Sequence, residues 1–596
     1  MSDPNLTVAA LIPDALLPAV AEQLARASEE DVAGRIARED ATLWGPSGTP
    51  EIANRLGWLT IAERMLDPLG ALELFAAEAH DDELEDIVLL GMGGSSLAPE
   101  VLRRSFADAD AGAGSRARLH VLDSTDAARI LEIGRAVDPA RTLFVVSSKS
   151  GSTIEPLSLF AHFFSVAPEG NRFVAITDPG SGLEALAAKH AFRQTFTGDP
   201  NIGGRYSALS AFGIVPGALL GAPALSLLEG APSAWETGLE HGTSAGDTGA
   251  DGDTDADGDT DADGGSSATG DAGATGDSSG ADAGGDAGAE GLPAAVYLGA
   301  ALGGLARAGR DKLTFVISET LPGLGLWLEQ LVAESTGKHH TGVLPVADEP
   351  LGDPAVYGDD RVFAYLPDVS APDAETERRV RALADAGHPV FTIPTAGPAD
   401  LGRIFLLAEI AVAALGWGLQ INPFDQPNVQ QAKDATNRVL AGYEAQQDLP
   451  EIPDASDAAL RALLWDASPR SYVAIMGYLQ PSPEFDAAAA ELRETIRAAT
   501  RATTTFGYGP RFLHSTGQFH KGGPPTGRFL QLLHDGPEDV AIPGKPFTFT
   551  TLKNAQAIGD LETLRSLDLP AERVRLHGDD PARALRALTA KLKETL

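Results

Sequence analysis

From Asp86 to Thr177 the chain repeats one pattern four times: an apolar run of four to six residues, a polar loop, then a helical stretch. The runs are Asp86–Leu90, Leu119–Leu122, Thr142–Ser147 and Arg172–Thr177. Strands that are apolar along their whole length and separated by helices are strands buried on both faces. The repetition therefore predicts a parallel sheet covered by helices. A second run of the same kind follows Leu292, with strands at Leu313–Ile317, Arg361–Tyr365 and Pro389–Ile393. In such sheets ligands bind beyond the carboxyl ends of the strands, so the loops at those ends are where chemistry is to be sought.

Between the two runs lies Gly242 to Gly291, with thirteen acidic residues, no Lys or Arg and no aromatic side chain. Such a segment buries too little apolar surface to offset its ordering entropy, and it reads as a disordered insertion between two domains. Asp253, Asp255, Asp257 and Gly258 imitate the start of a calcium loop, but position 264 is Gly where the closing glutamate belongs. A solvated acidic linker is the expectation, with no metal site.

The chain of 596 residues carries a net charge of −39 and stays acidic without the insertion. That surface repels nucleic acid and anionic membranes. The absence of cysteine excludes disulfides, thiolate catalysis and Cys-ligated metals. The N-terminus lacks the basic and apolar pattern of a secretory leader. The longest apolar helix, Ile404–Leu419, contains Glu409 and falls short of a membrane span, so a cytoplasmic protein is expected.

The expected organisation is a helical cap over 1–80, a first α/β domain over 81–240, the insertion over 241–291, a second α/β domain over 292–447 and an α/β tail over 448–596. The tail holds a strand at Ser471–Met476, a helix at Glu484–Arg501 and an amphipathic helix at Arg583–Leu596.

Four stretches carry chemistry-bearing residues. Ser147-Ser148-Lys149-Ser150-Gly151-Ser152-Thr153 joins a strand to a helix, where backbone amides, hydroxyls and one lysine suit a phosphate monoester. Gly91-Met92-Gly93-Gly94-Ser95-Ser96 is neither a Walker nor a dinucleotide motif, and either a close approach to a ligand or simple turn geometry accounts for it. Gly203-Gly204-Arg205 sets an arginine after two glycines, as an oxyanion holder or as a surface ion pair. Gln330 and Glu334 sit four apart on one face of a helix that starts near Leu324 and is stopped by Gly337. Lys433, on a helix after the Pro-bounded turn Asn422–Pro427, reads alone as a surface lysine. His514 and His520, flanking a Gly-Gln step, read alone as structural histidines.

Together Gly91–Pro99, Ser147–Pro156, Gly203–Ser210, Gln330–Lys338, Asn422–Lys433 and Leu513–Gly523 resemble the phosphoglucose isomerase family, in the form of the isomerase half of bacterial transaldolase–isomerase fusions. The transaldolase barrel is missing, since about 80 residues ahead of the first strand cannot make one. The resemblance implies two sugar-isomerase (SIS) subdomains, each an α/β/α sandwich with a flavodoxin-like parallel sheet. It implies aldose–ketose isomerisation of a small sugar phosphate, with no metal or redox cofactor, in a homodimer. Ser148, Lys149, Ser150, Ser152 and Thr153 then correspond to the phosphate loop, and Gly93, Gly94 and Ser95 to the sugar-proximal turn. Glu334 corresponds to the carbon base, Gln330 to a ligand contact and Arg205 to the enediolate stabiliser. Lys433, with Gln426 ahead of it, corresponds to the lysine of ring opening. In the family the catalytic histidine precedes the lysine helix, whereas here Leu-His-Ser-Thr-Gly-Gln follows it. His514 is preferred as the histidine and His520 stands second. The alternatives are a dual phosphoglucose/phosphomannose isomerase and a non-catalytic SIS-type sensor, which has no need of Glu334, Arg205 and Lys433 together.

Deleting residues 243–289 is expected to leave turnover within a few-fold, because a linker contributes no packed contacts. A loss above about a hundredfold, roughly 2.7 kcal/mol of barrier, in steady-state kinetics of the deletion variant overturns the linker assignment.

Overall fold

The computed structural model describes residues 6–81, 84–106, 117–241 and 291–594. The acidic insertion expected at 241–291 lies, but for its two end residues, outside the described residues.

Strand β1 (Val8–Leu11) opens the chain. Strands β2 (Asp86–Leu90), β3 (Arg118–Leu122), β4 (Thr142–Ser147), β5 (Phe173–Thr177) and β6 (Gln194–Thr197) form a parallel sheet in the order β3-β2-β4-β5-β6. This is the flavodoxin-like order. β2, β4 and β5 are buried at every residue, which is why they read as unbroken apolar runs. After β7 (Leu239–His241) come β8 (Lys312–Ile317), β9 (Leu344–Val346), β10 (Arg361–Leu366) and β11 (Val390–Thr392). They join β7 and β1 in a six-stranded sheet, β7-β1-β11-β10-β8-β9, parallel except where β1 meets β11. β12 (Tyr472–Tyr478), β13 (Thr503–Tyr508), β14 (Gly527–Leu533) and β15 (Ala571–Arg575) form a third parallel sheet, β13-β12-β14-β15.

In the first and third sheets, and in the β8–β11 block of the second, the first strand lies between the second and the third. Connections leaving the first and third strands therefore diverge to opposite faces and open a crevice at their carboxyl ends. In the first sheet that crevice is bordered by the loop after β2 and the serine loop after β4.

Three expectations are corrected. The N-terminal region is not only a helical cap on the first domain. Val8–Leu11 is a strand of the second sheet, and Gln23 and Trp44 hydrogen-bond to the backbone of Gly418 and Ala413 in the core helix there. Val-Ala-Ala-Leu has no helix-excluding residue, so nothing local marks it as a strand; the open edge of β11 decides. The tail carries a sheet of its own rather than one strand. The apolar helix is longer than expected, Leu401–Leu419, and with its preceding turn from Gly397 is long and apolar enough to cross a membrane. It is nevertheless buried inside the protein, packed so closely on Ala294–Arg307 that a side chain at Gly299 would overlap the Ala411 carbonyl.

Candidate active site

A cleft of about 310 Å³ lies where the loops after β2 and β4 face the helix after β8. Gly93, Gly94, Ser95, Lys149, Ser150, Thr153, Arg205, Gln330, Glu334, Gln426, Lys433 and His514 all line it, from stretches spread over more than 400 residues of chain. The two glycines of the β2 loop are there for close approach. Gly93 has φ 56°, and a Cβ on it would sit 2.8 Å from the His514 carbonyl. One on Gly94 would overlap the Gly204 carbonyl.

The helix Leu324–Thr336 is buried on nearly every side, with Trp327, Leu328, Leu331 and Val332 in the core, so its polar pair Gln330 and Glu334 is held rigidly. Glu334 is 5% exposed. Burial pushes its carboxyl above the ordinary range, opposed mainly by the positive charge of Arg205. Arg205 Nη1 lies 3.5 Å from Glu334 Oε2. The rest of that guanidinium is committed elsewhere: Nε donates to Ser335 Oγ at 2.8 Å, and Nη2 donates to the Pro423 and Asp425 carbonyls at 2.6 and 2.9 Å. Gln330 Nε2 donates to the His514 carbonyl at 2.8 Å, while its Oε1, buried, has no partner among the described residues. A ligand hydroxyl in the cleft would satisfy it.

Gly337 ends this helix, as expected, but not in a left-handed turn, since its φ is −73°. The need for glycine comes from Phe519, whose Cα occupies the space a Cβ would take. Next to it, Lys338 is fully buried and donates to the Asn422 carbonyl at 2.6 Å and to Asp425 Oδ1 at 2.7 Å. Burial brings its ammonium down to about 7.

His514 reaches the cleft from the third sheet's side. Its Nε2 lies 3.0 Å from Glu155 Oε1 and donates to that carboxylate, which leaves Nδ1 as the ring nitrogen that Glu155 does not engage. Gln556 Nε2 donates to the same Glu155 oxygen at 2.7 Å. Burial raises the Glu155 carboxyl, but the charge and hydrogen bond of His514 outweigh it and hold it below its ordinary value. His520 does not join the site. It is buried on the short helix Gly517–Gly522, its ring stacked on Tyr472 and its Nδ1 3.0 Å from the Tyr472 hydroxyl. Burial lowers it to about 3, so it is a neutral core histidine. Its choice as a ligand contact is corrected on that ground.

The serine loop leads into the helix Ile154–Val166, and Thr153, at its N-cap, makes no side-chain capping bond. The hydroxyls of Thr153 and exposed Ser150 stand at the helix N-terminus, where the backbone favours an anion. Ser148 is buried and turned toward Thr153 at 3.3 Å, while Ser152 is exposed beside Ser150 at 3.0 Å; neither lines the cleft. Lys433 and Gln426 are exposed at the cleft's rim.

The sequence reading missed Glu155, Glu51, Arg55, Asp178, Met92 and Phe424. Glu155 carried a misleading signal, because an acid in a first helical turn is explained by the helix dipole alone. Glu51 and Arg55 carried none.

The family model described as phosphoglucose isomerase matches residues 76–237. A glucose-6-phosphate isomerase of Thermus thermophilus is 28% identical over 439 residues, covering 66% of this chain and 92% of its own. One of Rubrobacter xylanophilus is 27% identical over 424 residues, covering 62% and 86%. A solved structure of a hypothetical protein from Thermus thermophilus superimposes with a TM-score of 0.54 at 26% identity, covering 73% of this chain and all of that one.

Ser150→Asp puts a carboxylate at the helix N-terminus where an anion belongs. Calorimetric titration with inorganic phosphate is expected to show affinity reduced about tenfold or more by like-charge repulsion. Unchanged affinity places the anion elsewhere.

Proposed function

We infer that this chain, a member of the phosphoglucose isomerase family, interconverts glucose 6-phosphate and fructose 6-phosphate, a step of glycolysis and gluconeogenesis. The observation that carries the reading is the convergence of a buried carboxylate, an arginine 3.5 Å from it, a carboxylate-held histidine and an anion-binding helix terminus on one cleft. Isomerisation needs those four parts. The phosphate anchors the sugar at the Ser150–Thr153 end. Ring opening moves a proton from the anomeric hydroxyl to the ring oxygen, work suited to His514 Nδ1 with Lys433 beside the path. Glu334 then takes the proton from C2 of the open aldose as the C1 carbonyl oxygen gains one, giving a cis-enediol, and returns it to C1 as the C2 hydroxyl gives up its proton and becomes the ketose carbonyl. Charge building on the oxygen is offset by Arg205, already fixed by three other hydrogen bonds and so needing no reorganisation. A raised carboxyl makes Glu334 a better base than an exposed glutamate. The reading includes a cytoplasmic setting and a homodimer.

Glu334→Gln keeps size and removes the base. Net turnover in a dehydrogenase-coupled assay with fructose 6-phosphate is expected to fall by ~10²–10⁴-fold. Anomer interconversion of glucose 6-phosphate, which rests on His514 and Lys433, should largely survive. Exchange of the C2 hydrogen in heavy water at the wild-type rate would remove Glu334 from the role.

The acid limb of kcat/KM should lie above the ordinary carboxylate range, because Glu334 is raised. Arg205 favours its ionised form, so Arg205→Met should move that limb further up in pH as well as lowering the rate. The substrate phosphate titrates identically in both enzymes, so a limb that stays put dissociates Arg205 from the base.

A further inference from the structure

The phosphate end of the cleft has donors, but the lysine of its own loop is not free to serve a phosphate. A lysine ammonium has three protons. Those of Lys149 are engaged by Asp178 Oδ1 at 2.8 Å, Asp178 Oδ2 at 2.7 Å and the Asp199 carbonyl at 2.8 Å. Its charge is neutralised by the carboxylate it braces. Arg205 is fixed beside Glu334 and bonded to Ser335 and the Pro423 and Asp425 carbonyls. A phosphate monoester near neutral pH carries close to two negative charges, and hydroxyls with a helix terminus offset only part of them.

Arg55 meets the need. It lines the same cleft as Ser150, Thr153 and Asp178. Its stem crosses the glycine turn, with Cδ 3.9 Å from where a Cβ on Gly203 would stand. Its charge is among those that disfavour the charged form of Lys149, as befits a neighbouring cation. Three of the five guanidinium protons are used in orienting it: Nη1 donates to the Asn54 and Pro200 carbonyls at 2.9 and 3.2 Å, and Nη2 to Glu51 Oε1 at 2.8 Å. Two remain, one on Nε and one on Nη2, enough for a phosphate to take up.

The backbone around it is built for that placement. Glu51 has φ 57°, a left-handed conformation that costs a glutamate free energy and persists only where surroundings impose it. Pro50 and Glu51 carbonyls accept from Asn422 Nδ2 at 3.4 Å, which ties the segment to the turn held by Arg205 and Lys338. Glu51 contacts the guanidinium through one oxygen and a single nitrogen, so it orients the group without enclosing it.

We propose that Arg55 is a ligand of the substrate's phosphate, with Glu51 as the positioning residue that aims its guanidinium into the cleft. The assignment rests on the sugar-phosphate reading above. It gives the N-terminal segment, in which the sequence shows no chemistry, a part in binding.

The test uses the full-length protein and the variants Arg55→Met, Arg55→Lys and Glu51→Ala, each checked for an unchanged thermal midpoint. Two quantities are measured: the affinity for inorganic phosphate by calorimetry, and KM and kcat for fructose 6-phosphate. Arg55→Met should weaken phosphate and raise KM in parallel by about ten- to a hundredfold, the range of a charge-assisted bond, with kcat within about threefold. Arg55→Lys, which keeps the charge and loses the fork, should fall between it and wild type, and keeps the question answerable if Arg55→Met does not fold. Glu51→Ala should weaken phosphate less than Arg55→Met. Unchanged phosphate affinity in Arg55→Met or, should that variant not fold, in Arg55→Lys overturns the assignment, as does a fall in kcat with KM unmoved. A wild-type protein that binds phosphate through Arg55 yet does not turn over fructose 6-phosphate leaves this site standing and sinks the isomerase reading instead.

Discussion

The Arg205 guanidinium is the contact on which the site depends. It is 2% exposed and touches three otherwise separate parts: Glu334 and Ser335 on the helix after β8, the Asn422–Asp425 turn, and its own Gly203–Tyr206 turn beside the first sheet. A buried charge of this kind has to be satisfied on every side, and removing a partner from a buried pair costs roughly 3–5 kcal/mol. That constraint holds the first and second sheets at a fixed separation and keeps the carboxylate from relaxing toward solvent. Lys338 repeats the arrangement one turn further on, against Asn422 and Asp425.

The third sheet closes the site from the other side. The segment after β13 delivers His514, and Gln518 locks it by donating to the Gly337 carbonyl and to Asn428 Oδ1, both at 2.8 Å. Lys521 pairs with Asp560 at 2.7 Å in the core, and Lys553 pairs with Asp126 of the first α/β unit at 2.8 Å. The Glu155–Gln556–Thr125 chain crosses the same junction. Polar groups buried between modules demand partners, so they fix the docking geometry more narrowly than apolar packing would. The histidine therefore arrives in the cleft from a module that comes after the Val429–Gln446 helix in the chain.

The same physics explains what was missed. β9 is three residues with Pro345 in it, β15 reads Ala-Glu-Arg-Val-Arg, and β1 reads Val-Ala-Ala-Leu; short, polar or small-residue strands owe their existence to a neighbour's open edge. Gly337 ends the helix as its position in the sequence predicts, while the constraint that requires glycine there, Phe519, is nearly two hundred residues away. His514 and His520 lie six residues apart in one motif, but His514 ends the short turn Arg511–His514 and meets Glu155, whereas His520 lies on Gly517–Gly522 and meets Tyr472.

The sequence by itself determined the α/β class, the buried central strands, the serine loop and the pairing of Gln330 with Glu334. Each of these is a local property: unbroken apolar runs, hydroxyls at a strand–helix junction, and a four-residue helical spacing. Tertiary structure decided which histidine enters the cleft, that Glu155 holds it, that Lys149 is spent on Asp178, and that Glu51 and Arg55 border the site. Those outcomes depend on charges and donors from distant segments competing for the same buried space, a competition that exists only once the three sheets are docked.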